Sequence, residues 1–216
     1  MSAYRFAAFA GLAAACLAGA ASAQDFQPKQ KGVLMLNVRA TGVLTDADGA
    51  IKTAAGADSG LKAKVGDDVM PTLGLTYFLT DHVAVEAIAG TTQHEVKAVG
   101  PGTDIAVHKT WVLPPVVSLQ YHFAPEAKVS PYVGAGINYM LFYGGKDKNG
   151  FQVDIDDGFG YALQAGVDVA LKDRWSANLD VKKVFFETDA SVNNGALKTK
   201  VKLDPWVVSA GVGYRF

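Results

Sequence analysis

The chain has 216 residues, with 20 Lys+Arg against 21 Asp+Glu and a formal net charge of −1. That balance lacks the basic excess that holds nucleic acid, and a single cysteine, Cys16, excludes a disulfide framework. Half the residues are hydrophobic and 23 are glycine. Beyond the N-terminal segment, no apolar run reaches the roughly 20 residues of a membrane-spanning helix, so the apolar residues must alternate with others.

The first predicted element is an address. Arg5 precedes an apolar run from Phe6 to Ala20, and Ala21-Ser22-Ala23 places small residues where a signal peptidase needs them. Residues 1–23 are expected to be a cleaved secretory signal, with the cut between Ala23 and Gln24, and residues 24–216 one domain. Cys16 offers the alternative of a lipoprotein acceptor, but Ala13-Ala14-Ala15 lack the leucine usual three positions upstream. Cleavage at Ala23 leaves a mature chain without cysteine, which removes thiol chemistry.

Eight segments of period two follow, the signature of strands. They run from Gly32 to Leu44, Val69 to Leu79, Val83 to Val96, Thr110 to Phe123, Pro131 to Tyr143, Gly158 to Leu171, Trp175 to Thr188 and Val201 to Phe216. In the fourth, Trp111, Leu113, Pro115, Val117, Leu119, Tyr121 and Phe123 share one face, against Thr110, Ser118, Gln120 and His122. Connections after the second, fourth and sixth segments are short (Thr80-Asp81-His82, Ala124 to Ser130 and Lys172-Asp173-Arg174); the others are longer and rich in Gly, Asp, Asn and Lys. This rhythm predicts an all-β, eight-stranded antiparallel up-and-down transmembrane β-barrel, with short periplasmic turns, long outer loops and both termini periplasmic.

The second face separates a membrane barrel from a soluble one. It carries mostly Gly, Ala, Ser, Thr, Asn and Gln, with balanced charges: Arg39, Lys182 and Arg215 against Glu86, Asp168 and Asp180. Such a face suits a narrow lumen better than a solvated exterior. Trp111 and Phe123 lie 12 positions apart on the apolar face, and Trp206 and Phe216 lie 10 apart. At about 3.3 Å per residue and a tilt near 40°, these steps rise roughly 25–30 Å, close to the roughly 25 Å apolar band between two aromatic girdles. The chain ends Tyr214-Arg215-Phe216, and Tyr214 and Phe216 are the expected signal to the barrel-assembly machinery.

Several segments resemble the OmpW family of small outer-membrane barrels. They are Thr80-Asp81-His82-Val83-Ala84-Val85-Glu86, the Leu113-Pro114-Pro115 strand ending in Gln120-Tyr121, Pro131 to Tyr139 with Phe142 following, Asp204-Pro205-Trp206, and Gly213-Tyr214-Arg215-Phe216. They stand in family order over nearly the whole mature chain. Thr91-Thr92-Gln93 departs from the family's Thr-Pro-Phe, and the connection from Thr45 to Asp68 is Ala- and Gly-rich; both departures bear on ligand preference.

The resemblance implies a porin-like, passive Gram-negative outer-membrane channel for small hydrophobic molecules, with lateral release into the bilayer. An eight-stranded barrel is too narrow for a wide aqueous pore. Candidate lumen or gating residues are Glu86, Gln120, Asp168, Asn178 and Asp180 nearer the short turns, with Arg39, Asn138, Gln164, Lys182 and His94 further up. Pro114 and Pro115 lack the ladder donor and mark a candidate lateral exit; a bulge that only shapes the barrel is the plainer reading. Expected partners are outer-membrane lipid, small hydrophobic ligands, and periplasmic chaperones and the assembly machinery during biogenesis. No cofactor, metal or nucleic acid is expected. Catalysis is not expected either, because Ser118 and His122, four apart on one strand, stand roughly 13 Å from each other. The alternative is a non-transporting adhesin, phage or bacteriocin receptor, or envelope stabiliser, working through Thr45 to Asp68, Glu95 to Lys109 and Gly144 to Asp157. Apolar residues facing the lumen at the loop bases would favour transport; a lumen filled up to the loops would favour the alternative.

Overall fold

A computed structural model describes residues 26–45, 47 and 49–216. The expected signal peptide, the Ala23–Gln24 junction and Cys16 lie outside the described residues. The described chain is all strand and connection, with no helix among the described residues. In order the strands are β1 (Leu34–Leu44), β2 (Ala50–Thr53), β3 (Asp58–Val65), β4 (Asp68–Phe78), β5 (Val83–Gly90), β6 (Thr92–Gly100), β7 (Thr103–Leu113), β8 (Val116–His122), β9 (Val129–Asp147), β10 (Val153–Ile155), β11 (Gly158–Ala170), β12 (Trp175–Phe185), β13 (Glu187–Val192), β14 (Leu197–Lys202) and β15 (Trp206–Arg215).

The lower wall is a closed antiparallel ring of β1, β4, β5, β8, β9, β11, β12 and β15. Closure is made at β1, where Val38 stands opposite Leu73 of β4 and Val212 of β15. Closure leaves no unpaired edge, which a spanning sheet requires. Alternation fixes the facing. On β4, Val69, Leu73, Leu75 and Tyr77 are exposed, while Met70, Thr72, Thr76 and Phe78 point inward and are buried. The outward rows of Val, Leu, Ile and aromatic residues form a continuous apolar exterior, costly in water at about 25 cal/mol per Å² and favourable against lipid. Inward glycines let the wall close tightly: a Cβ at Gly136 would collide with the Val117 carbonyl and the Ser118 side chain.

The predicted strands are present, and several run further than their sequence pattern. The ranges expected as loops are largely wall. The first holds the hairpin β2–β3, and most of Glu95 to Lys109 belongs to β6 and β7. A second partial ring, β13-β14-β2-β3-β6-β7-β9, stands on the first at the long-loop end. β9 alone has 19 residues, about 60 Å of chain at roughly 3.3 Å each. Polar and Gly-containing strands mask their own period, which is why the pattern faded there. The β13–β14 turn shows the local chemistry: Asn193, Asn194 and Gly195 all take positive φ, the conformation that a tight primed turn needs and that Asn and Gly supply.

The staves kink where the two rings meet. β5 passes to β6 at Thr91, β12 to β13 at Phe186, and β14 to β15 through Leu203 to Pro205. The break between β7 and β8 is at Pro114 and Pro115, exactly where neither residue can donate to a ladder. Pairing of β8 stops at Val116, opposite Ile88 and Asn138, and pairing of β7 resumes at Leu113 opposite Leu141 and at Val112 opposite Thr92. The Pro115 carbonyl still accepts from the Tyr139 N–H at 3.2 Å.

Candidate functional site

In the upper half of the barrel the inner face turns apolar. Ile88, Val112, Val116, Met140, Ala162, Val184 and Phe186 form one buried cluster, with Phe142, Leu203 and Val207 packed against it. All of these but Ala162 and Phe186 border a cavity of about 120 Å³ that extends up past Val43, Met70 and Val107 to Thr45 and Lys97, with Asn138 and Lys182 at its polar base. That is close to the engineered apolar cavity of about 150 Å³ that takes up benzene. Pro114 belongs to the cavity lining, so the ladder break borders the apolar space. Asn138 is 2% exposed, and neither polar atom of its amide has a hydrogen-bond partner among the described residues.

Beneath lies a charged layer. Arg39 Nη2 donates to Glu86 Oε1 at 2.7 Å. Lys182 Nζ stands 3.2 Å from Glu86 Oε2 and donates to Asp180 Oδ1 at 2.5 Å. Gln164 Nε2 donates to Glu86 Oε2 at 3.4 Å. The Tyr132 hydroxyl donates to Asp180 Oδ2 at 2.8 Å and accepts from Asn178 Nδ2, which also donates to Asp168 Oδ1 at 2.7 Å. Arg39, Glu86, Asp168, Asp180 and Lys182 are each at most 2% exposed. Charges so deeply buried persist only when paired and hydrogen-bonded. The network draws on β1, β5, β9, β11 and β12, so it ties opposite walls together.

The short-turn mouth is closed by residues 26–33. The Gln27 N–H donates to the Asp173 carbonyl, the Lys29 N–H donates to the Pro125 carbonyl, and Arg215 Nη1 donates to the Gln27 carbonyl. The Lys29 side chain enters the lumen, where Nζ donates to Asp168 Oδ2 at 2.6 Å and to His122 Nδ1 at 3.1 Å. Burial pushes the Lys29 ammonium below its usual pKa, while the Asp168 carboxylate opposes that shift.

All ten candidate lumen residues face inward and are buried. The structure brings eight of them into one connected layer, with Asn138 at the cavity base above it: the long side chains of Arg39 and Lys182 reach Glu86 and Asp180, so the two depth tiers merge. Gln120 joins from below, accepting from His122 Nε2 at 3.2 Å. His94 stands apart in the upper wall, with Nδ1 donating to the Gly66 carbonyl and Nε2 accepting from Thr92. Ser118 and His122 are not brought together; the His122 ring is engaged by Lys29 and Gln120. Sequence reasoning missed Lys29, because nothing periodic surrounds it. It also missed Tyr132, although parity with Gly134 and Gly136 places that residue inside, and it missed the apolar inner residues of the upper half.

A profile of the OmpW family matches residues 30–216. An uncharacterized outer-membrane protein of Sinorhizobium fredii is 44% identical over 185 residues, 84% of this chain and 79% of that protein. A dibenzothiophene metabolism operon protein of Pseudomonas aeruginosa is 32% identical over 161 residues, 73% of this chain and 76% of that protein. The crystal structure of the outer membrane protein OprG from Pseudomonas aeruginosa matches with a TM-score of 0.83 at 29% identity, over 89% of this chain and 99% of that one. The closed lipid-facing barrel, the ordered segments from Thr80 to Phe216 and these matches agree: the chain belongs to the OmpW family and is an eight-stranded barrel of the Gram-negative outer membrane.

Proposed function

We propose that this barrel is a passive, non-catalytic channel for small hydrophobic molecules, with its long-loop end outside the cell and both termini in the periplasm. A solute enters the apolar cavity from the loop end. It cannot continue downward through the layer of Arg39, Glu86, Asp180 and Lys182, which is tight and charged. It leaves sideways at Pro114 and Pro115 into the bilayer. The observation that carries this reading is the position of the cavity: apolar walls above, a paired ionic floor below, and a ladder break at its side. A relative named for dibenzothiophene metabolism, the processing of an apolar heterocycle, supports it. The adhesin, receptor or envelope-stabiliser reading expects side chains to fill the lumen up to the loops, and the open apolar space argues against it. Tyr214 and Phe216 then serve assembly: both side chains lie on the lipid side, in contact with each other at 4.9 Å, where periplasmic chaperones and the assembly machinery could read them.

The test is uptake of a small apolar solute by intact cells with and without the protein, counting solute held in the outer membrane separately. Faster protein-dependent uptake, with solute appearing first in the membrane fraction, is expected. Equal uptake for several solutes, with the barrel confirmed folded, would refute the channel.

A further inference from the structure

The upper ring has a chemically distinct outer surface. On β14, β2 and β3, adjacent in the sheet, the exposed residues are Lys198, Lys200, Lys202, Ala50, Lys52, Asp58, Gly60, Lys62 and Lys64. Six of these nine are lysines and one is acidic, in a chain whose net charge is only −1. Inward neighbours on the same strands, Ile51, Ala63, Thr199 and Val201, line the apolar cavity, so alternation aims the ammonium groups outward.

The register concentrates the charge. Lys198 stands directly opposite Lys52, and Lys64 directly opposite Lys97. Like charges facing each other across a ladder destabilise it, and nothing in the fold of these strands requires lysine at both positions. Glu187 and Asp189 flank one side, Glu187 reaching Lys200 at 3.2 Å and Lys202 at 4.0 Å and Asp189 reaching Lys200 at 3.5 Å, and Asp104 flanks the other, 3.2 Å from Lys97. Between those flanks Asp58 stands opposite Lys52, and the remaining lysines, Lys62, Lys64 and Lys198, leave the face net cationic.

Its height identifies the partner. The row begins at the aromatic girdle: Lys183 Nζ lies 5.1 Å above the Trp206 ring, and Lys202 follows four residues before Trp206. From there Lys200 and Lys198 climb in steps of about 7 Å, with neighbouring strands about 5 Å away. This is a lattice of ammonium groups starting at the lipid headgroup level and rising above it, continuous with the lipid-facing wall.

We infer that this face binds the phosphate groups of the phosphorylated glycolipid of the outer leaflet, lipopolysaccharide, with Lys52, Lys198, Lys200 and Lys202 as principal contacts. The inference rests on the loop-end-outside orientation of the proposed function for its place in the cell, but not for the binding chemistry. Ammonium groups take the position that divalent cations otherwise hold between neighbouring phosphates, and so anchor the lipid to the wall.

The experiment uses the folded, full barrel in detergent micelles, titrated with rough lipopolysaccharide, with the same lipid after enzymatic dephosphorylation, and with inorganic phosphate as competitor. The four-site variant Lys52→Gln/Lys198→Gln/Lys200→Gln/Lys202→Gln is compared with the four-site Lys→Arg variant, and heat-modifiable gel mobility confirms folding of each. Affinity for the phosphorylated lipid is expected to fall at least roughly tenfold in the Gln variant, to persist in the Arg variant, and to weaken with salt, as polybasic contacts with anionic lipid do. Equal affinity in wild type and Gln variant, equal binding of the dephosphorylated lipid, or full competition by millimolar inorganic phosphate would each overturn it, the last by reducing the face to a small-anion site. Because this binding is read without transport, loss of uptake with intact lipid binding refutes the channel alone.

Discussion

Replacing Lys29 by Met removes one charge from the short-turn mouth and leaves the Asp168 carboxylate, 1% exposed, with only Asn178 Nδ2 as its described hydrogen-bond partner. At the 2.6 Å separation of Lys29 Nζ and Asp168 Oδ2, an effective dielectric near 20 gives a gross attraction of about 6 kcal/mol. Desolvation of both ions takes back part of this, and breaking a buried pair from one side typically costs about 3–5 kcal/mol. Water entering the mouth will relieve some of the cost, so about 2–4 kcal/mol is expected for Lys29→Met. Removing both charges, in Lys29→Met/Asp168→Asn, should restore at least half of the loss. The assay is equilibrium unfolding from lipid vesicles in urea, followed by tryptophan fluorescence and gel mobility, for both single variants and the double. Additive single effects, or a loss below about 1 kcal/mol for Lys29→Met, would refute the view that this pair holds the strap in place.

Three further outcomes follow from the same geometry. Neutralising Arg39 and Lys182 together, as Arg39→Gln/Lys182→Gln, should raise ion conductance in planar bilayers several-fold, since Glu86 loses both cations that close the floor; unchanged conductance would remove any gating role for the layer. Pro114→Val/Pro115→Val restores two ladder donors beside the cavity and should cut uptake of apolar solutes several-fold with the barrel folded, whereas unchanged uptake would show that solute does not pass there. Val112→Phe adds bulk to the cavity wall and should slow uptake of larger solutes more than small ones; equal slowing of all solutes, or none, would disconnect the cavity from transport.

The lower barrel was legible because its two environments differ so sharply. Lipid on one side and a packed polar lumen on the other force strict alternation, as on β4 and β8, and every named lumen residue fell on the inner side. The upper ring was less legible for the opposite reason. There the inner face is apolar and the outer face is cationic or mixed, so the polarity of the period inverts between Ile88 inside and Glu95 at the partly exposed outer side of the same stave. A rule that assigns apolar residues outward loses its footing once the wall leaves the membrane. Lys29 was invisible because its role depends on the barrel mouth that β8, β11 and β15 form far along the chain. The ionic contacts themselves could not be read from spacing: parity placed Glu86 and Lys182 on one face, but only ring closure sets β5 and β12 across a lumen from each other.

The Lys29 strap also carries information about assembly order. Its segment precedes the strands in the chain, yet its docking points are the Pro125 and Asp173 carbonyls, Asp168, His122 and Arg215, groups that lie between 93 and 188 residues further along the chain. Residues 26–30 can therefore complete their contacts only once β15, with Arg215, is in place. Residues 31–33 are held locally at Phe78 and Asp81, so residues 26–30 alone await the last strand. Afterwards their protection records that closure has happened, so the strap serves as a built-in seal on a finished barrel.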